Sequence, residues 1–317
     1  KSKELRDLIL KTEFPELLRK EVMEHYAWLC KKYKDKDLAV AVRSSATSED
    51  SAEASFAGQH ESFLNVSGEK NLLYSIKHCI ASLFTERAIA YRDNLKMSYE
   101  VVALSVGVQK MVRSDLACSG VMFSCDTESG FPDVVLINSS YGLGENIDKG
   151  RVESDQFYVF EKTLAQGYMP LLEKRLGRKE LTMVYGSKMN EVKNLKTPKE
   201  KQEKFTLSDK EILELARCSM IIENHYKRPM DIEWAKDGRN KKLYIVQARP
   251  ETVQSQRDIQ FLEEYIFEGG SKRKELVVGL SVGNKIGKGR ASVIKDIKDI
   301  AKFKKGDVLI THMTDPD

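Results

Sequence analysis

Long apolar runs are absent from this sequence. None reaches the roughly eighteen residues that a membrane helix needs, and the opening Lys1-Ser2-Lys3-Glu4 lacks the apolar stretch of a signal peptide. Neither membrane insertion nor secretion is supported. Cysteine is sparse and unpatterned: Cys30, Cys79, Cys118, Cys125 and Cys218 are odd in number and form no CxxC pair, which fits free thiols in a reducing, cytoplasmic setting rather than a disulfide framework. No charge sign dominates, with 52 Lys and Arg against 48 Asp and Glu and a net charge of +4. A general nucleic-acid binder is usually more one-sided, so RNA binding is the weakest functional class. The P-loop and dinucleotide fingerprints are both missing, which removes two common nucleotide folds. The five histidines (His25, His60, His78, His225, His312) show no metal-ligand spacing, and no base, acid or nucleophile accompanies His312.

What is present is a globular composition, 41% hydrophobic over 317 residues, long enough for roughly two domains. Leu17, Leu18, Val22, Tyr26 and Leu29 recur at helical spacing and predict an amphipathic helix ending in the polar run 31–36. Leu38 to Val42 reads as a buried strand that gives way to a hydroxyl-rich loop, Arg43-Ser44-Ser45-Ala46-Thr47-Ser48-Glu49-Asp50. Leu72, Leu73, Ile76, Ile80, Leu83 and Phe84 predict a second helix running toward Tyr91. From residue 101 the pattern turns to β, and the runs 101–112, 120–123, 133–137 and 156–160 are expected as consecutive strands of one sheet. Residues 196–204, charged and containing Pro198, predict an exposed loop. Ser208-Asp209-Lys210-Glu211 is a capping box opening a helix over Ile212, Leu215, Ala216 and Ile222. A hairpin follows, 230–235 and 243–248, turning at Asp237-Gly238. The expected organisation is a domain over 1–255, a linker over 256–274 that includes a possible connecting helix at 259–267, and an incomplete second domain over 275–317. Lys1, which is not an initiator methionine, and Asp317, which falls in what reads as a loop, lead us to expect a fragment of a longer chain.

The hairpin carries the most chemical information. Strand alternation places Asp231 and Glu233 on one face and Ile232 and Trp234 on the other, while Gln247 and Arg249 share a face of the partner strand and Tyr244, Val246 and Ala248 are expected inward. If the register aligns the polar faces, two carboxylates, an amide and a guanidinium meet in one volume. That combination suits a metal-bound polyphosphate: oxygen ligands for the cation and a planar donor fork for phosphate. An amphipathic surface hairpin with paired charges satisfies the same pattern. Arg43 closes a buried strand, where a charge can face a cleft, and Ser44, Ser45 and Thr47 could donate to phosphate; a solvated turn fits equally. Ser119-Gly120 and Gly142-Leu143-Gly144-Glu145 are glycine turns suited either to close ligand approach or to plain turn chemistry.

Taken in order, Val42-Arg43-Ser44-Ser45-Ala46-Thr47-Ser48-Glu49-Asp50, Ala54-Ser55-Phe56-Ala57-Gly58-Gln59, Gly107-Val108-Gln109-Lys110-Met111-Val112, Ser140-Tyr141-Gly142-Leu143-Gly144-Glu145-Asn146, Asp231-Ile232-Glu233-Trp234 and Gln247-Ala248-Arg249-Pro250 closely resemble the phosphoenolpyruvate synthase (pyruvate, water dikinase) family. The match spans roughly 38–317. Single pieces are shared with pyruvate, phosphate dikinase, rifampicin phosphotransferase and the glucan water dikinases, while Asp126-Thr127-Glu128-Ser129-Gly130-Phe131 looks like the synthase branch. The resemblance implies an α+β, ATP-grasp-type nucleotide-binding domain followed by the start of a swivelling phosphohistidine domain. It implies ATP as substrate and Mg2+ as cofactor. Arg43 would contact the phosphates, and Gln109, Lys110, Met111 and Val112 would form the hinge receiving adenine through backbone groups. Glu233 and Gln247 would hold magnesium with Asp231 beside them, Arg249 would stabilise the phosphoryl group in flight, and Glu145 would be a ribose or metal-side contact. In the family a histidine in a mobile domain accepts the β-phosphoryl group and carries it to a barrel that binds pyruvate. Both lie outside this sequence, so His312 is not the acceptor; an N-terminal piece with an ATP-contacting lysine is also expected before Lys1. Ser51-Ala52 stands where Leu-Pro is usual. The expected partners are ATP and, through absent domains, pyruvate, with a homodimer for the full-length enzyme and no nucleic acid or membrane. The alternatives are another dikinase or a non-catalytic nucleotide-binding module.

Overall fold

The computed structural model describes residues 2–46, 50–51, 54–55, 62–94, 102–186, 191–251, 279 and 285–311. The chain divides into two compact units, Lys1–Arg257 and Asp258–Asp317.

The first unit opens with helices α1 (Ser2–Lys11) and α2 (Glu16–Tyr33). The spacing of Val22, Tyr26 and Leu29 turns one face of α2 to the core. The helix stops inside the expected polar run, where Lys34 takes a left-handed φ of 53° and its N–H returns to Lys31. Strand β1 (Val40–Ala46) follows, then the two-residue ladder β2 (Asp50–Ser51) and β3 (Ala54–Ser55), β4 (Ser62–Val66), α3 (Glu69–Ala81), α4 (Glu86–Asn94) and β5 (Leu104–Lys110). β1 lies between β4 and β5 in an antiparallel sheet. Alternation on β1 and β5 splits the side chains by job: Val40, Val42, Val106 and Val108 pack with Phe63, Leu72, Ile76 and Cys79, whereas Ala41, Arg43 and Gln109 fall on the opposite face.

The rest of the unit contributes β6 (Cys118–Phe123), β7 (Val134–Tyr141), the one-turn α5 (Glu145–Asp148), β8 (Asp155–Phe160), α6 (Glu161–Ala165), β9 (Leu171–Arg175), β10 (Leu181–Tyr185), β11 (Val192–Lys196), α7 (Lys199–Gln202), α8 (Asp209–Tyr226), β12 (Met230–Lys236) and β13 (Leu243–Pro250). Six of these strands form one antiparallel sheet, in the order β13-β12-β6-β7-β8-β9. Its core face, with Met122, Ile137, Phe157, Ile232 and Trp234, is covered by Ile212, Leu215 and Ala216 of α8. The capping box is present: the backbone N–H of Ser208 donates to Glu211, at 3.0 Å.

Two expectations are corrected. Residues 104–110 do not join the strands after them; β5 pairs with β1 over seven residues because Val106 and Val108 complete the core beneath α2. The segment 196–204 is largely exposed as expected, but it is not a plain loop. β11 ends at Lys196, buried Thr197 shares a 2.8 Å hydroxyl hydrogen bond with Thr182, and Pro198 is the N-cap of α7.

Gly120 lies within β6 rather than in the expected turn, and at both it and Gly142 the close neighbour is the protein's own backbone. A Cβ on Gly120 would stand 1.8 Å from the Asn138 carbonyl oxygen, and Gly142, at φ +85°, would set one 2.2 Å from that of Met183. Lys179, between β9 and β10, forms a fully buried ion pair at 2.5 Å with Asp155, the first residue of β8. Lys179 also donates to the Gly177 carbonyl, and Asp155 accepts from the backbone N–H groups of Gly177 and Thr206.

In the second unit, β14 (Arg290–Val293) and β15 (Asp307–Ile310) pair in parallel. The expected linker 256–274, the helix at 259–267 and His312 lie outside the described residues. No helix among the described residues is long and apolar enough to cross a membrane.

Candidate functional site

A cavity of about 220 Å³ opens in the first unit where the two sheets come together. β1 presents Ala41 and Arg43, the end of β5 and the residues after it present Gln109, Lys110, Met111 and Val112, and α5 presents Glu145 and Asp148. β12 closes the floor with Glu233, β13 adds Val246, and β10 adds Tyr185. Seven of the ten residues singled out from sequence therefore line one cavity.

The other three stand on the same hairpin. Glu233 lies opposite Gln247, and Asp231 opposite Arg249, so each acid shares a sheet face with its cross-strand neighbour. One detail departs from expectation. The register slips after Glu233, so that Trp234 pairs with Ile245 and Val246 is an extra residue. Ala248 packs on the core as expected, but the bulge turns Val246 from the expected inward position to the cavity, and Leu243 rather than Tyr244 packs on the core beyond it. The freed Val246 carbonyl accepts from Arg43 at 3.3 Å.

Charge pairing dominates the electrostatics. Arg43 Nη2 lies 2.9 Å from Glu233 Oε2, joining the two sheets across the cleft. Arg249 holds Asp231 with Nε and Nη2 at 2.8 and 2.7 Å. Lys110 is 3.5 Å from Asp237 and sits over the rings of Tyr33 and Tyr244. Burial tends to raise Asp237, but N–H groups of Arg239 and Asn240 together with Lys110 hold its carboxyl below the ordinary value. Glu145 pairs with Lys149 at 2.5 Å. Burial raises Asp231 in spite of Arg249. Asp148, on the rim, is pushed up to about 6 by the enclosing walls and then by Glu233 and Asp231. Its side chain still meets solvent, so water screens part of that repulsion.

Asp148, Tyr185 and the Val246 carbonyl were not foreseen. Asp148 follows Glu145 by three residues and so shares its side of the helical turn, a signal that was available. Tyr185 comes from a strand with no strong pattern; its hydroxyl donates to the sulfur of Met111 at 3.8 Å, and burial raises its pKa.

Whether the residues suit a divalent cation depends on what else binds it. Among the described residues no three His, Cys, Asp or Glu side chains are placed to cage a metal. A magnesium ion carried by a polyphosphate needs only one or two protein carboxylates, since phosphate and water complete its shell. Glu233 and Asp231, side by side on one strand, with Asp148 nearby, meet that smaller requirement.

Fold and cleft together define an α+β ligand-binding domain whose site sets guanidinium and carboxylate groups beside an apolar pocket. The chain belongs to the family described as "Pyruvate phosphate dikinase, AMP/ATP-binding domain", whose profile matches residues 1–265. It is similar to the phosphoenolpyruvate synthases of Aquifex aeolicus (49% identity, covering 99% of this chain and 38% of that protein), Synechocystis (51%, covering 98% and 39%) and Escherichia coli (48%, covering 99% and 39%). The chain thus spans about two fifths of the length of the curated relatives it matches.

Proposed function

We propose that this chain binds magnesium-chelated ATP in the cleft between its two sheets, as the nucleotide-binding part of a phosphoenolpyruvate synthase. The complete enzyme would convert pyruvate, ATP and water to phosphoenolpyruvate, AMP and phosphate. The observation that carries this reading is the convergence of Arg43, the 109–112 segment and Glu233, three separate stretches of sequence, on one cavity. Met111, Leu143 and Tyr185 give a planar base an apolar seat, while the chain at Gln109 to Val112 offers backbone groups at its edge. Arg43 and Arg249 then address phosphate oxygens with fixed forks of donors. Glu233, Gln247 and Asp231 would hold the magnesium, which when bound neutralises charge developing on the transferring phosphoryl group. Glu145 would make a ribose or metal-side contact.

An ATP-grasp arrangement and a boundary near residue 255 belong to the same reading. So do a phosphohistidine domain beginning near residue 275, a cytoplasmic location and a dimeric full-length enzyme. Calorimetry with Mg·ATP tests the site directly. We expect saturable one-site binding that falls at least tenfold in Arg43→Ala; retention of full affinity in that variant would remove Arg43 from the site.

A further inference from the structure

Resting on the nucleotide reading above, we propose that Lys110 is a positioning residue for the base: its side chain keeps off the ligand and clasps the 109–112 segment from behind, fixing the backbone groups that meet the base edge. Alternation along β5 sets the direction of the side chain. Lys110 pairs with Val40 and shares the parity of Val106 and Val108, which pack under α2, whereas Gln109 falls on the cavity face with Arg43. The ammonium ends 3.5 Å from the Asp237 carboxylate and over two rings, 5.0 Å from the centre of Tyr33 and 5.7 Å from that of Tyr244. None of these three partners is among the described residues lining the cavity, although Lys110 itself borders it. A carboxylate and two ring faces engage the charge, and they draw it away from the phosphate end at Arg43 and Glu233.

The clasp holds the connection between the two sheets from both sides. Tyr33 closes α2 over the first sheet, while Asp237 and Tyr244 belong to the end of the β12–β13 hairpin in the second. Between them runs the chain from β5 to β6, tied to the first sheet where the Met111 N–H donates to the Ala39 carbonyl at 2.9 Å, and to the second where the Gly238 N–H donates to the Arg113 carbonyl at 3.0 Å. The partners of the ammonium are themselves fixed. Asp237, 2% exposed, accepts from the N–H groups of Arg239 and Asn240 at 2.8 and 3.3 Å, and the Tyr244 hydroxyl accepts from the Asn240 amide at 2.8 Å. Deleting the ammonium therefore loosens the corner at 110–113 without dissolving either sheet. Hydrogen bonds from backbone to a base edge weaken steeply as their angles open, so a loosened corner costs base binding first. Met111, next in the chain, accepts from the Tyr185 hydroxyl through its sulfur, so the apolar seat shifts with the segment.

The test compares Lys110→Met, which keeps the stem and deletes the charge, with Lys110→Arg, whose guanidinium can still stack on the rings and meet Asp237. Calorimetry on the full chain measures affinity for Mg·ATP, with Mg·tripolyphosphate titrated as its competitor. We expect Lys110→Met to lose at least about fivefold in Mg·ATP affinity while the tripolyphosphate inhibition constant moves by less than about twofold, and Lys110→Arg to stay within about threefold of native for both. Hydrogen exchange gives a readout that needs no nucleotide: the amides of 111–114 should exchange at least about fivefold faster in Lys110→Met, with those of α8 unchanged. Equal losses for both ligands would make Lys110 a direct phosphate contact, and unchanged exchange at 111–114 would leave the clasp without effect; either result overturns the proposal. Should Lys110→Met fail to fold, Tyr244→Leu removes one of the two rings and must show the same selective loss. A native chain that binds no Mg·ATP sinks the nucleotide reading and the positioning role with it, whereas native binding with undiminished Mg·ATP affinity in Lys110→Met sinks the positioning role alone.

Discussion

Replacing Lys179 by methionine deletes an ammonium group that has no contact with solvent, and the surroundings determine what that costs. Lys179 and Asp155 are both fully buried, 2.5 Å apart, and the ammonium also donates to the carbonyls of Gly177 and Gln202 at 2.6 and 3.2 Å. Breaking a buried pair from one side typically costs about 3–5 kcal/mol, because the remaining charge is left without compensation. Asp155 keeps three neutral donors, from the Gly177 N–H and the Thr206 N–H and hydroxyl, which offset part of the loss. The expected penalty is therefore at the lower end, about 3 kcal/mol, or a fall in Tm of about 6–12 °C for a unit of this size. Urea denaturation followed by circular dichroism measures it. Adding Asp155→Asn to Lys179→Met should recover a good part of the deficit, since the stranded charge disappears. A single variant within about 1 kcal/mol of the native chain, or a double variant worse than the single, would refute the argument.

Three further outcomes are expected. Burial and then Glu223 and Asp133 push Glu161 up to about 7, so the folded state favours its protonated form and stability falls as pH rises from the ordinary carboxylate range through 7. Glu161→Gln should then gain about 1–2 kcal/mol at pH 8, discounted for partial exposure, and almost nothing at pH 4, as read from paired denaturation curves. Gly120→Ala should lose about 1–3 kcal/mol or misfold, because its methyl would collide with the Asn138 carbonyl rather than with a movable side chain; thermal melts decide. Ser208→Ala should cost about 1 kcal/mol through loss of the cap on α8, with no effect on nucleotide affinity.

The legible parts of the sequence were those where one local rule decided the outcome. The α8 capping box, the period-3.6 face of α2 and the alternation in β12 each fixed an element without outside help. Arg43, Glu233 and the 109–112 segment were legible as candidates because charged residues beside short apolar runs have few places to go except a cleft. The hidden parts depended on partners distant in sequence. β5 has the same β signature as β6, and only the packing of Val106 and Val108 under α2 assigns it to the other sheet. β9 to β11 carry mixed charged and apolar residues with little alternation, since much of β9 and β11 faces solvent, and so Tyr185 stayed invisible. A bulge leaves no compositional trace, and the exchange of Val246 for Leu243 on the core side followed from it.

The extra residue at Val246 also sets how this hairpin tolerates changes in length. Side chains along β13 can be exchanged one at a time, and loss of Val246 itself would leave Gln247 opposite Glu233 and Ile245 opposite Trp234, but deleting a residue elsewhere along the strand would move side chains beside the cut to the opposite face. The turn at 237–242 is a different case, because an insertion at its exposed tip leaves the pairing downstream untouched. Length variation in this protein is therefore expected at the tip of the hairpin and not along its final strand, whatever substitutions accumulate in either place.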